Sequence, residues 1–91
     1  MKATIENNQR INGQREGYWE HHYWDLGNGL NNLVILAKGN YKKSTKVGYW
    51  EYYHSNGKLN SKGNYINGEE EGYWELYHNN GVLNYKEYFL Y

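Results

Sequence analysis

Residues 39–62 read GNYKKSTKVGYWEYYHSNGKLNSK, and residues 63–86 read GNYINGEEEGYWELYHNNGVLNYK. The second stretch follows the first without a gap, so the period is 24 residues. Gly48 maps onto Gly72, Trp50 onto Trp74, Gly57 onto Gly81, Leu59 onto Leu83 and Lys62 onto Lys86. An earlier copy spans about 8–38, where INGQREGYWE (11–20) matches INGEEEGYWE (66–75). That copy is longer, and the extra length lies between Trp24 and Leu36. A tandem repeat of this size is one supersecondary unit used several times, each copy burying its apolar side against the next.

The unit reads as a β-hairpin. Its segments are short and rich in Tyr, Trp, Val and Leu, and none carries a sustained 3.6-residue apolar period. Asn-Gly occurs five times, at 12–13, 28–29, 56–57, 67–68 and 80–81. That dipeptide suits the type I′ turn, in which both central residues need positive φ. With Asn56-Gly57 at the centre of such a turn, Glu51 falls opposite Lys62 and Trp50 opposite Gly63. With Asn80-Gly81 there, Glu75 falls opposite Lys86. Two Glu–Lys pairs in one register tie the strands together. Joining the hairpins through Asn67-Gly68 puts Trp74 opposite Ser61 and Gly72 opposite Gly63. One face then carries Trp50, Tyr52, His54, Leu59, Ser61, Gly63, Tyr65, Trp74, Leu76, Leu83, Tyr85 and Phe89. The other carries Tyr49, Glu51, Tyr53, Lys62, Tyr73, Glu75, Tyr77 and Lys86. In this register each Trp covers small residues of the strand that follows it, as large rings shield glycine elsewhere.

The pattern Gly-x-Trp-x-x-Tyr-x-x-Asn-Gly-x-Leu, followed by Lys-Gly-x-Tyr, stands here as GYWEYYHSNGKLNSKGNY (48–65) and in modified form as GYWELYHNNGVLNYKEYF (72–89). It resembles the variant MORN repeat, and the chain is similar to the bacterial YwqK-type antitoxin proteins built from such repeats. The resemblance covers roughly residues 8–90. It implies an all-β fold: an elongated, twisted antiparallel meander of successive hairpins in a single sheet with little or no helix. The units would be about 8–38, 39–62 and 63–86, with a C-terminal edge strand at 85–91. It also implies a protein that binds and neutralises another protein.

Composition narrows the remaining classes. The 91 residues make one domain with a small core. No cysteine is present, so neither disulfides nor thiolate metal sites contribute, and no proline interrupts strand pairing. Ten basic and ten acidic residues give no net charge, against the basic surface that DNA binding requires. No run of apolar residues is long enough to span a membrane, no basic amphipathic segment lies ready to rest on one, and the first residues lack the apolar core of a signal peptide. A cytoplasmic location, in a bacterium or an infected host cell, follows as the expectation.

Side chains that could carry chemistry are few. His21 and His22 point to opposite sides of a strand, so they do not form a metal site, and no cofactor is implied. Glu20, Glu51 and Glu75 are repeated scaffold positions, and no nucleophile–base arrangement or phosphate-binding loop is recognisable, so no enzyme is expected. The aromatic face is the candidate for binding. Trp19, Trp50, Tyr52 and Trp74 lie on it, and Tyr, Trp and Phe are what binding hot spots are made of. The competing reading is that the indoles cover glycine and serine of their own sheet. Leu30, Leu33, Val34 and Ile35, in the segment that lengthens the first unit, are the second candidate surface. Tyr85, Tyr88, Phe89 and Tyr91 belong to a terminal strand whose edge is open to another chain, so a homodimer could form there or across the aromatic face. The expected partner is a toxin. Two alternatives stand beside it: a phage or mobile-element inhibitor of a bacterial defence protein, and a module that binds a nucleotide signal between stacked aromatics.

Overall fold

The computed structural model describes residues 2–6, 10–25 and 32–90. Nine strands follow one another among the described residues: β1 (Lys2–Glu6), β2 (Arg10–Ile11), β3 (Gln14–Arg15), β4 (Gly17–Asp25), β5 (Asn32–Lys42), β6 (Thr45–Tyr53), β7 (Leu59–Ile66), β8 (Glu69–Tyr77) and β9 (Leu83–Phe89). The order β1-β4-β5-β6-β7-β8-β9 forms one antiparallel sheet, of which β4 to β9 are a plain meander, and β2 and β3 make a small hairpin beside it. No helix occurs among the described residues. The molecule measures 44 × 39 × 15 Å, the thickness of a single sheet with its side chains.

The charge register read from the sequence is present. Glu51 pairs with Lys62 and Glu75 with Lys86. It also extends further, because Glu20 stands opposite Lys38 and Lys38 opposite Glu51, while Lys62 stands opposite Glu75. Alternating Glu and Lys therefore cross six strands in one row. Ion pairs close at 3.4 Å between Lys38 and Glu51, 3.5 Å between Lys62 and Glu75, and 3.6 Å between Lys86 and Glu75. Tyrosines flank the row. Tyr18 donates to Glu20, Tyr49 and Tyr53 to Glu51, and Tyr77 to Glu75.

Two expectations about the turns are corrected. At Asn56-Gly57 only the glycine has positive φ, at 86°. The loop closes instead through Gly57 N–H to the His54 carbonyl and His54 N–H to the Lys58 carbonyl, with the Asn56 side chain accepting from Lys58 N–H. A bulge between Tyr52 and Tyr53 then restores the expected register. The loop at Asn80-Gly81 repeats this arrangement. Through these bulges Leu59 and Leu83, expected on the aromatic face, stand opposite Tyr53 and Tyr77 of the charged face. Asn12-Gly13 and Asn67-Gly68 do have positive φ at both residues, and so do Lys43 and Ser44, which carry no Asn-Gly signal. Asn28-Gly29 lies outside the described residues.

The third correction concerns the link between units. Ser61 stands opposite Leu76, not Trp74. Pairing runs from Asn64↔Glu71 to Lys62↔Glu75, so three residues, Gly72 to Trp74, face the single residue Gly63. Gly72 turns the chain out of register with φ 74°. The same happens where Gly48 to Trp50 face Gly39. The pairings Glu6↔His21 and Arg10↔Arg15, on either side of Gly17, differ in register by the same two residues. Trp50 does pair with Gly63 along the strands, but its ring lies on Gly39, in the strand before it, and the ring of Trp74 lies on Gly63. Each indole covers the preceding strand, not the following one.

Candidate functional site

The face opposite the charge row is a continuous layer of rings. The Trp74 indole rests on the bare backbone of Gly63 and donates its Nε1–H to the Asn64 carbonyl at 3.1 Å; Trp50 does the same over Gly39, donating to Asn40 at 3.0 Å. Trp19 donates to the Glu16 carbonyl at 3.2 Å. Tyrosine edges close the sides. Tyr41 meets Trp50 at 4.9 Å and Tyr65 meets Trp74 at 5.0 Å, both nearly perpendicular. Trp19 packs on Tyr41, Trp50 on Tyr65 and Trp74 on Phe89, so the chain of contacts crosses the sheet.

Trp19 and Trp50 are 0% exposed and Trp74 3%. Trp19 and Trp50 thus sit inside the layer, sealed by rings of their own sheet, and Trp74 is nearly so but lines a hollow with Phe89 and Glu87. Tyr52 is half-buried, packed against this cluster, and its hydroxyl bonds Lys46 and Tyr65. Val34 and Ile35 are half-buried in β5. Leu33 is part of that strand's backbone, opposite Trp24. Leu30 and Tyr91 lie outside the described residues. Tyr85 and Tyr88 are exposed on β9, the last strand of the sheet, whereas Phe89 turns inward against the aromatic cluster.

Sequence reasoning missed the cations of this face. Lys46 Nζ lies 5.1 Å from the Trp50 and Tyr52 rings and 5.3 Å from Tyr65, and it donates to the Tyr52 hydroxyl at 2.7 Å. Burial pushes its pKa below the ordinary lysine value, and Arg15 pushes the same way, against the opposing pull of Glu70. The Arg15 guanidinium lies 5.3 Å from Trp19 and 5.4 Å from Tyr41, and Arg10 stands 5.6 Å from Trp19. A signal was available: Arg15 and Lys46 both stand four residues before a repeat tryptophan. The heads of Arg15 and Lys46 open onto a groove at the turn end of the face, lined by Arg15, Tyr41, Lys46, Tyr65, Glu70 and Phe89. One end is cationic and the other anionic.

The turns that form the groove rim are fastened to one another. Ser44 N–H donates to the Arg15 carbonyl, Gly68 N–H to the Lys46 carbonyl, and Lys43 N–H to the Glu16 carboxylate. At the opposite end His54 bonds the Tyr77 carbonyl and Lys58 the Asn80 carbonyl. His21 joins the aromatic layer through the Tyr41 hydroxyl, while His22 bonds Glu20 on the charged face. Among the described residues no three His, Cys, Asp or Glu side chains converge so as to hold a metal ion, and no helix is long and apolar enough to cross a membrane.

Compared with models of known families, with curated proteins and with solved structures, the chain matches none.

Proposed function

We propose that this chain is a non-enzymatic protein-binding module that recognises and neutralises a partner protein, as antitoxins and immunity proteins do, and that it acts in the cytoplasm. The observation that carries this reading is the single-layer fold. An aromatic face with a groove of mixed charge is presented over a slab only 15 Å thick, with no second layer of described residues packed upon it. The rings that reach the groove, Tyr41, Tyr65 and Phe89, are held by their neighbours before any partner arrives. A preformed surface of this kind binds at low entropic cost. The likeness of the 24-residue unit to the variant MORN repeat of YwqK-type antitoxins supports the neutralising role.

Affinity capture from the source cell, followed by co-expression, tests the proposal. The expected outcome is a stoichiometric partner whose expression alone arrests growth and whose toxicity this chain relieves. Replacing Lys46 by Glu at the groove should abolish capture, whereas Tyr73→Ala on the charged face should not. Absence of a stoichiometric partner, or a partner that leaves growth unaffected, overturns the reading.

A further inference from the structure

The third unit breaks the repeat in two places, and both breaks put a carboxylate on the same rings. Arg15, Lys46 and Glu70 each stand four residues before their tryptophan. In the first two units that position supplies a cation lying 5.1–5.4 Å from the rings around it. In the third it supplies an acid. Gly39, Gly63 and residue 87 are likewise equivalent at the 24-residue spacing, and the third of them is Glu87. Glu87 pairs directly with Trp74 across β8 and β9, and Glu70 pairs with Tyr65 across β7 and β8. Both glutamates line one hollow with Trp74, Leu76 and Phe89.

The Glu20, Glu51 and Glu75 carboxylates are taken up by tyrosines, lysines or histidine. Glu70 and Glu87 have no hydrogen bond or ion pair among the described residues, although the field of Glu70 reaches Lys46. The Tyr52 hydroxyl that receives Lys46 in the second unit, and the Tyr65 hydroxyl bonded to it, are absent from the third, where Leu76 replaces Tyr52 and Phe89 replaces Tyr65. What remains is the half-buried Phe89 ring and the small exposed part of the Trp74 indole, with two exposed carboxylates beside them. Ring faces attract cations, and carboxylates add charge-assisted hydrogen bonds to an ammonium or guanidinium.

We infer that this hollow receives a lysine or arginine side chain of the partner protein, which takes the place that Arg15 and Lys46 occupy in the earlier units. The inference rests on the protein-binding reading for the source of that side chain. The cage itself can be tested without a partner. The probe is N-acetyl-lysine N-methylamide, titrated into the labelled full chain at constant ionic strength, with the indole N–H resonances of Trp19, Trp50 and Trp74, among the four of the chain, as readout. The Trp74 resonance should shift saturably in the millimolar range, while Trp19 and Trp50, already covered by their own cations, stay in place. Glu70→Gln and Glu87→Gln should each weaken binding about three- to fivefold, the effect of losing one charge at an exposed site. Glu70→Lys should abolish it, since the chain then fills its own cage. The backbone spectrum of each variant verifies that the sheet is intact.

A silent Trp74, an equal shift with the glutamate analogue, or unchanged binding in the Glu70→Gln/Glu87→Gln double variant overturns the site. Tetramethylammonium is the second probe. Binding about tenfold tighter than the lysine analogue would replace the partner side chain by a small quaternary amine. Since no partner protein enters the titration, its failure counts against this site alone, and the capture experiment decides the wider reading.

Discussion

Gly63 has no side chain, and the Trp74 ring occupies that space. A β-carbon built on Gly63, or on Gly39 beneath Trp50, overlaps the indole. The ring has nowhere to retreat, because Tyr65 or Tyr41 stands against its edge and its N–H is held by the neighbouring carbonyl. Gly63→Ala and Gly39→Ala should therefore each destabilise the protein by about 2–3 kcal/mol through overpacking. Urea denaturation followed by tryptophan fluorescence measures this, and a change below about 0.5 kcal/mol, the usual surface effect, would show that the indole does not lie there. At this scale the sequence was half legible. The pairing of Trp with Gly was visible in the 24-residue alignment. The strand that supplies the glycine was not, because a bulge at Gly72 or Gly48 moves the register by two residues and alternation alone gives no sign of it.

At the scale of the element, the hairpin turns separate local chemistry from context. Asn12-Gly13 and Asn67-Gly68 adopt the two positive-φ residues that their side chains favour. Lys43 and Ser44 adopt the same geometry at φ 50° and 62° without that preference. They are held by the preceding hairpin: Ser44 N–H bonds the Arg15 carbonyl, Arg15 N–H bonds Ser44 Oγ at 3.0 Å, and Lys43 N–H bonds Glu16. Lys43→Asn relieves the backbone cost and leaves all three bonds in place. It should stabilise the protein by about 0.5–1 kcal/mol, as a residue suited to left-handed φ does. A thermal melt reads the gain, and a lowered melting temperature would mean that the Lys43 side chain contributes more than its φ costs. The loops at Asn56-Gly57 and Asn80-Gly81 make the opposite point. The dipeptide correctly marked a turn but not its type, and the register survived because the bulge at Tyr52/Tyr53, or at Leu76/Tyr77, offset the one-residue shift next to the loop.

At the scale of the whole molecule, a chain with 12 tyrosines in one thin sheet has a defined response to pH. Burial raises the phenol pKa of Tyr52 and Tyr65, the former further through its bond to Tyr65. Tyr18 is pushed up to about 12 by burial and by its bond to Glu20, and Tyr49 is raised in the same way by burial and Glu51. A folded pKa above the unfolded one gives stability that is complete below the unfolded value and is lost as pH rises past it. Lys46 acts in the other direction. Its lowered pKa means that the unfolded chain holds the proton longer, so its contribution improves with pH just below the ordinary lysine value. Many raised phenols outweigh one lowered lysine. At the acid end, Glu75 is held below the ordinary carboxyl value by its bond from Tyr77, and Glu51 by Tyr53, Tyr49 and Lys38 against the cost of burial. That stability is lost as pH falls through the lowered values. Thermal melts should thus be flat from about pH 6 to 9, fall steeply above about pH 10 and fall again below about pH 4. The Tyr52 and Tyr65 phenols, followed through their ring resonances, should ionise together with unfolding; either of them ionising in the intact fold near pH 10 would contradict the account.

The sequence by itself determined the all-β class, the hairpin unit, the two Glu–Lys pairs within hairpins and the division of most strand residues between two faces. Each of these is set by neighbours two residues apart along a strand or directly opposite across a turn, and a repeat states such rules several times over. Only the tertiary structure decided that the Glu–Lys pairs join into one row, that Trp19 and Trp50 are sealed inside their own layer, that Arg15 and Lys46 stand over the rings, and that Glu70 and Glu87 meet at Trp74. Those contacts join strands of different units through bulges, where the inter-unit register depends on backbone rotation at a glycine, and no local pattern of side chains records that rotation.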